Sequence, residues 1–163
     1  MTYLADTNLV SELTKAKAVP AVVRWMESNA DEVVISWVSV AELRAGIKML
    51  PPGKKRDVLH EDIEALIADY YHEDLVRLQE STAARFAELV ARRRSKGAPY
   101  HFADAVIASI ALDRGLRVAT RNTSDFPDVP TVNPWDEKPL PATARAMKGK
   151  RSGIAPGYGS AGQ

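Results

Sequence analysis

Short apolar runs alternate with longer stretches of helical periodicity along most of this chain, and that alternation constrains its fold more than any other feature. Buried parallel strands read as brief, continuous apolar segments. Such segments occur at Tyr3 to Ala5, Val33 to Ser36, Leu75 to Leu78 and Leu116 to Thr120, with a short one at Thr131-Val132. Between them the apolar residues recur at helical spacing. Pro20 suits the first turn of a helix carrying Val22, Val23, Trp25 and Met26, and Val40, Leu43, Ile47 and Leu50 mark a face that ends before Pro51-Pro52-Gly53. Val58 to Tyr71 repeats the pattern through Ile63, Leu66 and Ile67. Two more helices, about Ser81 to Lys96 and about His101 to Arg114, stop at Gly97 and Gly115. Strands alternating with helices require right-handed crossovers. The expected fold is therefore α/β, with a central, mostly parallel sheet covered on both faces.

Composition narrows the class. A chain of 163 residues suits one compact domain, and no apolar stretch approaches the roughly 18 residues of a membrane span. The start Met1-Thr2-Tyr3 lacks the basic region of a signal peptide, so a cytoplasmic protein is expected. There is no cysteine, which excludes disulfides, thiolate zinc sites and cysteine nucleophiles. The net charge of +1 hides an asymmetry: from Glu137 onward Lys138, Arg145, Lys148, Lys150 and Arg151 face a single acid, which leaves residues 1–136 at −3. An acidic body does not bind nucleic acid by bulk charge, so any such role rests on local patches or on metal. Residues 137–163 are rich in Pro, Gly, Ala and Ser, and they read as a disordered basic tail behind one folded domain at 1–136.

Three acids stand out. Asp6 ends the first apolar run, where open α/β sheets place their ligands beyond the strand ends. Glu42 and Asp104 also lie where a strand or loop hands over to a helix. Each has a structural alternative. Asp6 is a candidate helix cap, Glu42 closes an S-x-x-E capping box with Ser39, and Asp104 sits in a first helical turn favoured by the helix dipole. Taken together they suggest more, because Asp104 is flanked by Phe102, Ala103, Ala105, Val106 and Ile107 and has no lysine near it in sequence. A desolvated carboxylate either protonates or finds a cation, and hard oxygen ligands suit Mg²⁺ or Mn²⁺. A fourth contributor is expected after Thr120, from Asn122 or Asp125, although the stretch Asn122-Thr123-Ser124-Asp125 also has the composition of an ordinary turn.

These residues occur in the motifs Leu4-Ala5-Asp6-Thr7-Asn8, Ser39-Val40-Ala41-Glu42-Leu43, Ala103-Asp104-Ala105-Val106-Ile107-Ala108, and Ala119-Thr120-Arg121-Asn122 with Asp125-Phe126. In this set the chain resembles the PIN-domain ribonucleases, and among them the VapC-type toxins of toxin-antitoxin pairs. Pro51 to Glu61 and Val132-Asn133-Pro134-Trp135 are most similar to the FitB-like subgroup. The resemblance spans about residues 2 to 136. It implies a three-layer α/β/α domain, a divalent metal (Mg²⁺ or Mn²⁺) held by Asp6, Glu42 and Asp104, and endonucleolytic cleavage of RNA. It also implies a cognate antitoxin that blocks the site and links the pair to operator DNA, and a homodimer. Asn122 stands where some relatives carry Asp, which leaves Asn122 and Asp125 as alternative fourth site residues. Asn8, Thr120 and His101 are candidate orienting or substrate groups, and for His101 a partly exposed helix-start residue is the favoured alternative.

Other readings are weaker. A phosphatase of the haloacid-dehalogenase type wants a second Asp where Asn8 stands, and a receiver-like module wants a late-strand lysine that Val118-Ala119-Thr120 lacks. A catalytically weak PIN domain acting as a binding module passes both tests. Lys54-Lys55-Arg56 and Arg92-Arg93-Arg94-Ser95-Lys96 are open as RNA contacts, the second having a solvated helix end before Gly97 as its alternative. His60, His72 and His101 are too scattered for a zinc pair.

Overall fold

A computed structural model describes residues 2–71 and 79–136. The expected strand at Leu75 to Leu78, His72 and the whole of 137–163 lie outside the described residues. Within them, β1 (Tyr3–Ala5), β2 (Val33–Ile35), β3 (Arg117–Ala119) and β4 (Thr131–Val132) form one sheet in the order β2-β1-β3-β4, with every pairing parallel. Six helices surround it: α1 (Thr7–Leu13), α2 (Pro20–Asn29), α3 (Trp37–Lys48), α4 (Lys54–Tyr70), α5 (Glu80–Ser95) and α6 (Phe102–Arg114).

Alternation along the strands builds two cores. Ala5, Val33, Ile35 and Ala119 point to one face, where they meet Leu9 and Val10 of α1, Val22, Trp25 and Met26 of α2, Leu43 and Ile47 of α3, and Ile63 and Ile67 of α4. Leu4, Val34 and Val118 point to the other, against Leu89 of α5 and Val106, Ile107 and Ile110 of α6. This is the expected three-layer arrangement. Leu9, Val10, Trp25 and Ile47 are buried in the first core, and Leu13 and Trp37 pack half-buried against the first and second cores.

Helix boundaries differ from expectation in two places, each with a local cause. α4 begins at Lys54 rather than near Val58, because Gly53 takes φ 149°, a conformation open to glycine, and Lys54-Lys55-Arg56 form a solvent-facing first turn without apolar periodicity. α3 begins at Trp37, and its cap is Ser36, whose side chain accepts the Ser39 N–H at 3.2 Å. Ser39 is therefore inside the helix and buried, so the Ser39–Glu42 capping box does not form. At the other end of the domain, α6 stops where Gly115 turns left-handed at φ 65° and the chain enters β3.

Candidate active site

The strand order places a switch point between β1 and β3. From β1 the chain crosses to β2 on one side, and it returns to β3 on the other. Asp6 and Thr120 emerge there, at the carboxyl ends of adjacent strands, where the crevice of such sheets opens. The Asp6 N–H donates to the Ala119 carbonyl at 3.0 Å, so the backbone at Asp6 is still held by the sheet.

Asp6 occupies the cap position of α1, yet its carboxylate makes no capping hydrogen bond. It accepts instead from the Thr120 hydroxyl at 2.9 Å and from Asn8 Nδ2 at 3.3 Å. Thr120 is fully buried and in turn accepts the Asn122 backbone N–H at 3.0 Å. The hydroxyl thus couples Asp6 to the turn after β3. Burial raises the Asp6 pKa above its ordinary value, Thr120, the Thr7 amide and Asn8 pull it down, and the charge on Glu42 raises it again. The net direction is upward.

Asp104 lies half-buried in the first turn of α6. Its pKa is pushed up to about 6, chiefly by burial and then by the negative charges of Asp6 and Asp125, with a smaller push from Glu42; His101 alone acts in the opposite sense. Asp104 therefore lies within electrostatic reach of Asp6, Asp125 and Glu42. Glu42, exposed in α3, accepts a 2.6 Å hydrogen bond from the Thr7 hydroxyl. Asp125 ends a short 3₁₀ turn, Thr123–Asp125, for which Asn122 is the cap residue. Both Asn122 and Asp125 are exposed, and it is Asp125 whose charge reaches Asp104. His101 is the exposed cap residue of α6, without a capping bond of its own, and its charge acts on Asp104.

None of the four acids joins an ion pair among the described residues. As the side chains stand, no three acids or histidines among the described residues are close enough to form a ready-made metal-binding group. Asp104 is repelled by Asp6, Asp125 and Glu42, and Asp6 by Glu42, so the acids form an open set and not a closed ligand set. An all-oxygen donor set with no basic partner nevertheless fits a hard divalent cation better than any protein cation.

The residue that sequence reasoning passed over is Thr7, which orients Glu42. The two basic clusters separate. Arg92 and Arg93 are committed to Asp128 at 2.9 and 3.8 Å, whereas Arg56 lines a groove of about 570 Å³ between α3 and α4 with Arg44, Lys48 and His60. No helix among the described residues is long and apolar enough to cross a membrane.

Comparison with known proteins agrees with this geometry. The PIN domain family model matches residues 3–132. The plasmid stability protein StbB of Pseudomonas syringae is 37% identical over 136 residues, which covers 82% of this chain and 98% of StbB. Toxin FitB of Neisseria gonorrhoeae is 36% identical over 137 residues, covering 82% and 99%. The VapC ribonuclease Y4jK of Sinorhizobium fredii is 33% identical over 134 residues, covering 80% and 96%. The structure of FitAB bound to the IR36 DNA fragment contains a chain that superposes with a TM-score of 0.73 at 34% identity, covering 84% of this chain and 98% of that one. The family model covers most of the chain and the relatives match it over four fifths of its length, so the chain belongs to the PIN-domain family.

Proposed function

We propose that this chain is a divalent-metal-dependent endoribonuclease that acts as the toxin of a type II toxin-antitoxin pair. The observation that carries the reading is a set of acids at the β1/β3 switch point in which Asp104, pushed up to about 6 chiefly by burial, also feels the charges of Asp6, Asp125 and Glu42, while none of the four has an ion-pair partner among the described residues. The names of the relatives, a toxin and a ribonuclease, support it. The FitAB assembly on DNA supports a cognate antitoxin as the partner that links this chain to operator DNA.

Asp6, Glu42 and Asp104 would hold Mg²⁺ or Mn²⁺, with Asp125 as the fourth acid and the Asn122 amide beside it. Such an ion, when bound, lowers the pKa of water and offsets charge on a phosphodiester undergoing in-line attack. The chain's own groups prepare the place. Thr120 and Asn8 fix the rotamer of Asp6, Thr7 fixes Glu42, and the α6 N-terminus contributes a positive end that favours anions. His101 stands at that end as a donor to substrate phosphate.

Cleavage of RNA with Mg²⁺ or Mn²⁺, with and without chelator, tests the reading. Asp6→Asn and Asp104→Asn should each lower turnover by at least 100-fold on the order expected for a lost metal ligand, with the circular-dichroism spectrum unchanged. Activity that persists in chelator, or wild-type turnover by either variant, sinks the mechanism. The spread of the acids favours a second reading, a catalytically weak binding module, which predicts antitoxin binding with no metal-dependent cleavage.

A further inference from the structure

Asp128 gathers partners from two other parts of the chain. Its Oδ2 accepts a hydrogen bond from the Tyr100 hydroxyl at 2.9 Å, and its Oδ1 lies 2.9 Å from Arg92 Nη2. Arg93 Nε stands 3.8 Å from Oδ2, and its guanidinium lies 5.0 Å from the centre of the Tyr100 ring. The Asp128 side chain is only 14% exposed, so these charges are better shielded from water than an ordinary surface pair. Burial, and then the hydrogen bond to Asp128, push the Tyr100 hydroxyl up to about 12, which keeps it a donor throughout the neutral range. The chemistry proposed above uses none of these four groups.

Chain connectivity gives them a place in it. Tyr100 immediately precedes His101, the cap of α6, and Asp104 follows in the first turn of that helix. Asp128 lies three residues beyond Asp125, with the buried Phe126 between them. The segments joined at Asp128 are therefore those that carry Asp104 on one side and Asn122 and Asp125 on the other. Asp104 and Asp125 repel one another, which drives these segments apart, and attraction at Asp128 opposes that drive. The last turn of α5, which supplies Arg92 and Arg93, is the fixed post for both.

We propose that the clasp of Arg92, Arg93, Tyr100 and Asp128 is a positioning device for the acid cluster, with Asp128 setting the separation of Asp104 and Asp125. It rests on the reading of these acids as a cation-holding site. Outer partners that orient acidic ligands typically change metal affinity or activity by about 10- to 100-fold when removed.

Asp128→Asn keeps the shape of the side chain and removes its charge, and Tyr100→Phe removes a single hydroxyl. Mn²⁺ affinity measured by calorimetry, kcat and KM for RNA, and the melting temperature are compared with wild type and with Glu80→Gln, an exposed position at the opposite end of α5. The clasp predicts that Asp128→Asn binds Mn²⁺ about tenfold more weakly and loses kcat with KM unchanged, that Tyr100→Phe moves the same way by a smaller factor, and that Glu80→Gln changes neither. A lower melting temperature with Mn²⁺ affinity and kcat within twofold of wild type overturns the proposal and leaves the clasp a purely structural tie. If Asp128→Asn does not fold, Tyr100→Phe decides in the same way. Wild-type protein that neither binds Mn²⁺ nor cleaves RNA defeats the ribonuclease reading itself, and the clasp with it.

Discussion

Asp104 shows how one side chain carries opposing demands. Its folded-state pKa of about 6 lies above the ordinary 3.8, so the protonated form stabilises the fold. That contribution is complete below about pH 3.8 and is lost as pH rises through about 6. Removing the charge should therefore help the metal-free protein at neutral pH. Asp104→Asn is expected to melt about 4 °C higher than wild type at pH 7 without metal, for a gain of about 1 kcal/mol after solvent screening of a half-buried group. At pH 4 the two should melt together. Added Mn²⁺ should reverse the order at pH 7, because it stabilises the form that binds it. Paired melts at the two pH values, with and without Mn²⁺, check all three. At this scale the sequence displayed Asp6 and Asp104 by their positions after a strand and in an apolar helix start. It did not display Thr7, since a hydroxyl that bonds Glu42 across 35 residues leaves no periodic trace. Nor did it decide between Asn122 and Asp125, because exposed turn residues have the same composition whether they face a site or solvent.

The start of α3 is where local pattern and structure diverge. Ser39-Val40-Ala41-Glu42 has capping-box spacing, but the helix has already begun, and Ser36 at the end of β2 supplies the cap. The two hydroxyls lie 3.0 Å apart inside the protein. Ser36 loses both a backbone partner and a side-chain partner when truncated, whereas Ser39 loses the side-chain partner alone. Ser36→Ala should therefore cost about 1 to 2 kcal/mol in urea unfolding, and Ser39→Ala clearly less. The reverse ranking would restore the capping box and with it a structural reason for Glu42. Elsewhere the elements were legible because burial enforces period: the strand residues Leu4, Val34 and Val118 alternate with Ala5, Val33, Ile35 and Ala119 between the two cores. α4 was legible in its body and not in its first turn. Lys54-Lys55-Arg56 bury nothing, so no apolar rhythm announces them.

For the molecule as a whole, the cores among the described residues reach as far as Trp135, and the PIN match ends at 132. We expect a chain shortened after Asp136 to keep the melting temperature and metal affinity of the full protein. A large loss of either would give residues 137–163 a part in the fold. The parallel sheet was legible because alternating strands and helices admit few other solutions. The strand order was not, since nothing in a short apolar run says which neighbour it takes. That order has a consequence for how the molecule comes into being. The Thr120 to Asp6 hydrogen bond joins residues 114 apart, and β3 must dock beside β1 before it can form. During synthesis the chain emerges in order at roughly 5–20 residues per second. The acid at position 6 is exposed early and has no oriented setting until Thr120 has been translated and released. A chain still attached to its ribosome therefore lacks a fixed Asp6 carboxylate until most of the polypeptide has been made.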